Sequence, residues 1–327
     1  MCIRDSLTNS GIPTQGIAFY HQSTLDLLQG LSCSVGLRYD YEHARCDFSK
    51  VQQPLNGNGE TKSLEQFNRS LHFGQFTPRF SMQYLSSHNQ LFYASVSKGY
   101  KAGGFNVSFL NNDDYLYSPE YNWNYEIGTK LSFLNNRLSA DLSLFYIDWR
   151  NQQITNTIPT VGNVIRNAGR SRNKGIEASF QARPTKSWMM YMNYGYTDAR
   201  FVHYQKEERG ILKDYEGNYL PMVPRHTFSL TTGYSFYDIC SWIDRLTLNA
   251  GVSVTGPIYW YEDNQAKQSP YALVNLRISI NKGCFTWEAW SKNLTNTDYL
   301  SYYFVTSKAY AQKGKPITLG TSVSISL

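Results

Sequence analysis

The chain has 327 residues, a formal net charge of +6, 15% aromatic and 41% hydrophobic residues, and a mean hydropathy of -0.46. No stretch of about eighteen apolar residues occurs, which excludes a membrane-spanning helix. The five cysteines (Cys2, Cys33, Cys46, Cys240, Cys284) are odd in number and lack close pairs, which excludes a disulfide framework or a Cys-based metal site. Lysines and arginines are scattered through turns and polar strand faces, without the basic, aromatic-interleaved cluster that a nucleic-acid surface needs. So many rings, including 26 tyrosines, at so low a hydropathy do not suit a soluble core. They suit strands with one apolar face each around a polar lumen.

Met1 to Ser6 has neither a basic region nor an apolar core, so it is no signal peptide. Residues 1–14 are therefore expected to be a non-barrel lead, an artefact of where the gene begins. Residues 15–327 are expected to be the C-terminal part of a longer chain. Ile17 to Thr24 reads as the first strand. Leu31 to Tyr41 alternates most clearly, with Leu31, Cys33, Val35, Leu37, Tyr39 and Tyr41 opposite Ser32, Ser34, Gly36, Arg38, Asp40 and Glu42. Ser49 to Gln66 is polar, with Asn-Gly pairs at Asn56 and Asn58, and reads as a long loop. Hairpin strands follow over Phe76 to Leu85 and Leu91 to Tyr100, then a long segment from Lys101 to Glu120. The pattern resumes with Asn124 to Phe133, Leu138 to Tyr146, Gly175 to Ala182, Trp188 to Phe201, Thr227 to Phe236, Arg245 to Tyr259, Tyr271 to Ile280, Cys284 to Asn293 and Ile317 to Leu327.

This amounts to about thirteen strands, most of them long enough to cross a bilayer when tilted. Short and long connections alternate strictly, as short periplasmic turns and long extracellular loops do in a transmembrane barrel. Aromatics gather near strand ends as interfacial girdles: Phe133, Trp188 and Phe236 on the short-turn side, and Tyr121, Trp123, Trp149 and Phe201 on the other.

The run Ser97-Lys98-Gly99-Tyr100-Lys101-Ala102-Gly103-Gly104-Phe105-Asn106 closely resembles a barrel segment of TonB-dependent outer-membrane receptors. Further likenesses come in the family's order: Gly36-Leu37-Arg38-Tyr39-Asp40, Thr77-Pro78-Arg79-Phe80, Asn124 to Lys130, Asn173-Lys174-Gly175-Ile176-Glu177, Pro224-Arg225-His226 and Lys292-Asn293-Leu294-Thr295-Asn296. The resemblance implies an all-β, antiparallel, up-and-down transmembrane β-barrel. About thirteen strands of a 22-strand barrel would be present, with the N-terminal plug domain and about nine strands absent. The terminal Leu327 departs from the aromatic residue with which such barrels usually end.

The same resemblance implies an outer-membrane transporter, not an enzyme, that imports a ferric siderophore or similar scarce chelate. The TonB complex would supply energy through the missing plug, and outer-membrane lipid would surround the barrel. Loop tyrosines and tryptophan are the ligand-contact candidates, because flat rings suit a large, partly apolar chelate: Tyr115, Tyr117, Tyr259, Trp260, Tyr261, Tyr302 and Tyr303. Lys98, Lys101, Gly103, Gly104, Phe105 and Asn106 are expected to serve a structural role beside the plug, with attraction of an anion by the two lysines as the competing reading. No cofactor is expected. No nucleophile elbow, P-loop or zinc-protease motif occurs, and the six histidines have no metal-ligand spacing. The carboxylate pairs Asp113 with Asp114 and Glu207 with Glu208 are expected to be solvated. The alternatives are a passive porin-like barrel and a soluble carbohydrate-binding β-protein.

Overall fold

The computed structural model describes residues 4–54, 61–109, 111–158, 161–167, 169–208, 211–305 and 308–326. One antiparallel sheet dominates it, and each long strand is hydrogen-bonded to its neighbours in sequence. The first stave is double: Arg4–Gly11 and Thr14–Leu28 are interrupted at Ile12 and Pro13, and both pair with Leu31–Pro54. Pro13 has no N–H to give to the ladder, which accounts for the break. Lys62–Leu85, Leu91–Lys101, Glu120–Phe133, Leu138–Arg150, Arg170–Ala182, Trp188–His203, His226–Cys240, Ile243–Thr255, Tyr271–Lys282, Phe285–Lys292 and Thr318–Ile325 follow. Counting the interrupted pair once, the staves are the thirteen expected. Residues 4–11, expected to form a non-barrel lead, instead extend the edge of the sheet along Asp47 to Pro54.

The strict alternation of connections holds throughout, with turns of a few residues at one end and loops at the other. Side chains sort by face. Cys33, Met82, Ala94, Ile127, Leu144 and Ile176 lie opposite one another across six consecutive staves, a continuous apolar row. Most of these side chains are exposed, as lipid-facing groups are when no lipid is included. The other face carries Ser81, Ser95 and Glu126 in register, with the Tyr93 hydroxyl donating to Glu126 Oε1 at 2.6 Å. On that face Arg38 grips Asp40 from Nη2 at 2.6 Å and from Nε at 2.8 Å.

Both faces are open to solvent, and the accessible surface is 21297 Å². A compact globule of 37.6 kDa would expose about 13,800 Å². An exposed apolar row combined with that excess does not fit a soluble carbohydrate-binding protein. Among the described residues the first and last staves each keep an unpaired edge.

Two expectations about this region need correction. The polar stretch over 49–66 is not mainly loop, because strands Leu31–Pro54 and Lys62–Leu85 each run 24 residues and stay paired as far as Gln52 opposite Lys62. The turn signals at Asn56 and Asn58 lie outside the described residues. About ten residues suffice to cross the hydrocarbon, so the rest of this hairpin stands beyond the membrane on the long-loop side. Phe201, expected in a lipid girdle, is 2% exposed and packs with Ala199, Tyr204, Tyr215 and Leu220. It anchors the loop over 204–225 instead of facing lipid.

Three cross-strand pairs share one device, an aromatic ring lying over the glycine opposite it. They are Tyr93 over Gly128, Phe145 over Gly175 and Trp290 over Gly320. Each ring fills the place of the missing side chain and shields the backbone.

Candidate functional site

The long-loop side carries two separate aromatic clusters. The first covers the projecting hairpin. Ala44, Cys46 and Phe48 point to one side of it and are capped by Phe105, with Phe67, Leu71 and Phe109 at the margin. Gly104–Phe105 pairs with Leu116–Tyr117, which brings Phe105 down onto this patch. The glycines before it have a steric reason. A Cβ on Gly103 would sit 2.4 Å from the Tyr117 carbonyl oxygen and 2.8 Å from the Phe73 ring, and one on Gly104 would strike the Tyr117 ring. Tyr115 is 5% exposed, meets Phe109 edge-on at 4.1 Å and donates its hydroxyl to Glu65. Tyr115 and Tyr117 therefore serve as packing for the loop. Burial also pushes the Tyr117 phenol up from its ordinary pKa.

Asn106 fixes this cap to the neighbouring loop. Its amide donates to the carbonyls of Asp114 at 2.7 Å and Ile165 at 2.8 Å, and its Oδ1 accepts from the Ile165 N–H at 2.9 Å. Asp114, expected to be solvated, is 6% exposed and takes a bidentate grip from Arg166 at 2.7 and 2.8 Å. The side chains of Asp113, Glu207 and Glu208 lie outside the described residues. Gln153 and Asn167 add bonds to Ala102 and Ser118, so residues 102–119 and the hairpin 153–167 are tied as a unit. Lys98 lies 5.3 Å over the Tyr121 ring, while Lys101 is exposed. Both border a groove that also holds Arg38, Asp40 and Glu42, where Tyr100 donates to Glu42 at 2.6 Å. Asp40 is already paired with Arg38, so Glu42 alone is left to face the two lysines.

The second cluster draws together four of the other five candidates, and the fifth, Tyr259, stacks elsewhere. Trp260, 5% exposed, lies 6.3 Å from Tyr302 and 6.4 Å from Tyr303, and Tyr261 meets Tyr303 edge-on at 6.2 Å. Tyr259 stacks on Tyr219 at 5.4 Å and 7°. Two side chains bind these loops. Tyr261 Oη accepts from the Val305 N–H at 2.6 Å, and Gln268 Oε1 accepts from the Leu300 N–H at 2.8 Å. The indole nitrogen of Trp260 is buried, with no hydrogen-bond partner among the described residues. Burial pushes the Tyr261 phenol up, partly countered by the Val305 N–H, so it is a neutral hydroxyl at neutral pH.

Several residues of this cluster carry no sequence signal. Tyr219 has the Arg200 guanidinium 4.0 Å and the Arg225 guanidinium 4.9 Å from its ring centre. Asn264, at φ 55°, accepts from the Tyr219 N–H at 2.7 Å and donates back to its carbonyl at 3.0 Å. Asparagine is among the few residues that take this left-handed conformation readily. The Asn264 bonds join positions 45 apart and the Arg200 contact positions 19 apart, so no local pattern announces them.

Residues 4–296 match a family described as TonB dependent receptor-like, beta-barrel. The chain belongs to that family. Among curated proteins it is 24% identical to the pesticin receptor of Yersinia pestis, over 98% of this chain and 45% of that protein. It is 26% identical to the probable TonB-dependent siderophore receptor PiuA of Acinetobacter baumannii, over 68% of this chain and 30% of that protein. Among solved structures, the ferric yersiniabactin uptake receptor FyuA of Yersinia pestis superposes with a TM-score of 0.79 at 21% identity, covering 98% of this chain and 47% of that one. The chain thus spans a little under half the length of the relatives it matches along its whole length. As a TonB-dependent receptor barrel it is a protein of the bacterial outer membrane, and its family are transporters, not enzymes.

One loop of this receptor barrel is expected to respond to pH. Asp214, in the hairpin Gln205–Glu208 and Ile211–Asp214, accepts from the Glu216 N–H at 2.9 Å and from Gln205 at 3.2 Å. These bonds, the Glu216 N–H first, hold its carboxyl below the usual range. A depressed carboxylate contributes order that is present above the unfolded value, about 3.9, and is lost as pH falls through the folded one. The Glu216 amide is expected to exchange several-fold faster in Asp214→Ala at neutral pH, and wild type is expected to lose that protection only below about pH 4. Equal exchange in the two proteins at neutral pH would contradict this role.

Proposed function

We propose that these residues form part of the wall and the extracellular loops of a TonB-dependent importer of a ferric-siderophore-type chelate. The observation that carries this reading is the convergence of Tyr261, Tyr302 and Tyr303 from two loops on the long-loop side, around the buried ring of Trp260. Rings held by packing and by backbone hydrogen bonds offer broad, rigid contact at little entropic cost, which suits a large, partly apolar chelate. The names of PiuA and FyuA, a siderophore receptor and a ferric yersiniabactin uptake receptor, support the same ligand class. Energy comes, in this reading, from the TonB complex acting on a plug domain, which none of the described residues forms.

The test uses the complete receptor in its own host, with uptake of radiolabelled iron chelate as the readout. Tyr302→Ala with Tyr303→Ala is expected to weaken apparent affinity about tenfold, the scale of about 1.4 kcal/mol for two aromatic contacts, at unchanged surface expression. Unaltered uptake would remove these rings from the ligand site. Deleting TonB is expected to abolish uptake. Uptake that persists without TonB would instead favour the passive porin-like barrel.

A further inference from the structure

His43 and His72 lie directly opposite one another on the outward side of the projecting hairpin. Their rings stack with centroids 4.6 Å apart and planes at 16°. Tyr41, the last residue of the alternating apolar run from Leu31, places its hydroxyl 2.9 Å from His72 Nδ1. The nearest charge on that side, Arg45, is already engaged by Asp47 at 3.0 Å. Twenty-nine residues separate the two histidines, so only the strand register brings them together.

We propose that His43 and His72 form a two-imidazole site for a borderline divalent cation, Cu(II) above all, just above the apolar band on the outside of the barrel. Nearly parallel rings at this spacing can turn one nitrogen each toward a common ion at about 2.0 Å. Tyr41 supplies the outer partner that such ligands ordinarily have. In the tautomer that carries its proton on Nδ1, His72 donates to the Tyr41 oxygen and leaves Nε2 free to coordinate. Imidazole ligation favours copper over zinc and nickel, and hard ions such as magnesium and calcium are poor guests. No group of three or more His, Cys, Asp or Glu ligands occurs among the described residues, so water completes the coordination. This cation site stands apart from the aromatic loops and does not depend on the identity of the imported ligand.

The experiment is Cu(II) titration of the full chain in detergent, followed by electron paramagnetic resonance. The expected result is one equivalent of copper with two coupled imidazole nitrogens. Either His43→Gln or His72→Gln should lower affinity at least about tenfold, and Tyr41→Phe should lower it about tenfold through the lost outer partner. Since both rings face outward, the glutamine variants should keep the fold, which circular dichroism verifies. A wild-type signal with a single nitrogen would overturn the proposal without any variant. So would equal copper affinity in the double variant, which would assign the ion to the remaining histidines as adventitious binding.

Discussion

Asn106→Ala is expected to release the loop over 102–119 from the hairpin 153–167 while leaving the barrel wall intact. The substitution removes three hydrogen bonds at once and leaves the Ile165 N–H and two carbonyls without their partner in a site where Asn106 itself is 4% exposed. Each buried polar group stranded in this way costs about 1–3 kcal/mol, partly recovered as water enters. A net local loss of about 3 kcal/mol corresponds to an opening equilibrium about a hundredfold larger. Hydrogen exchange should therefore accelerate about a hundredfold at Phe105, Asn106 and Ile165, with no change at Ile127 or Leu144 in the wall. Uniform acceleration across the chain would mean that Asn106 supports the whole sheet, and no acceleration would mean that the Asp114–Arg166 pair and the Gln153 and Asn167 bonds hold the loops without it.

The second large effect distinguishes two glycines that look alike in sequence. Gly175→Ala would place a methyl 2.1 Å from the Tyr196 carbonyl oxygen and 2.6 Å from the Phe145 ring, so either the ladder or the ring must shift. Overpacking of this kind costs about 1–3 kcal/mol, and the upper end is expected because one obstacle is backbone. At Gly36 the same methyl meets Arg79 Cβ at 3.6 Å, an ordinary contact. Gly36→Ala should then be neutral or stabilise by about 0.5 kcal/mol through a less flexible unfolded chain. Urea midpoints for refolding into detergent micelles decide the matter: the two variants should differ by about 3 kcal/mol, and indistinguishable midpoints would refute the steric account.

That contrast also marks what the sequence could convey. The staves were legible because their signals are local: Leu31 to Tyr41 alternates over eleven consecutive residues, and a glycine such as Gly283, directly after Lys282, ends a strand visibly. The upper half of the long hairpin was not legible. Its residues from Ser49 to Gln53 are as polar as a loop, and the cover over Phe48 is delivered by Phe105 from a segment more than fifty residues on. Glycine gave the same signal at Gly36 and Gly175, since the crowding at the second arises from a facing strand. Among the candidates, tyrosine content pointed to both aromatic clusters without distinguishing Tyr115, which is consumed in packing, from Tyr302, which stays 44% exposed. The clasp from Asp114 to Arg166 spans 52 positions, and nothing near either residue signals it.

The length of that hairpin has one more implication. From Tyr41 onward, thirteen residues remain to Pro54, and at about 3.3 Å per residue they reach up to about 43 Å beyond the apolar band. One continuous ladder therefore passes through two solvents. Below the boundary, Leu37 faces hydrocarbon and gains nothing from the expulsion of water by the fold. Above it, Leu71 is held against Cys46 and Phe105 by that expulsion alone. The receptor's outer portion should thus respond to cooling, salt and urea as a small aqueous domain does, while its lower half answers to the thickness and fluidity of the membrane. That outer portion can then be retuned by ordinary surface evolution without disturbing the barrel's insertion.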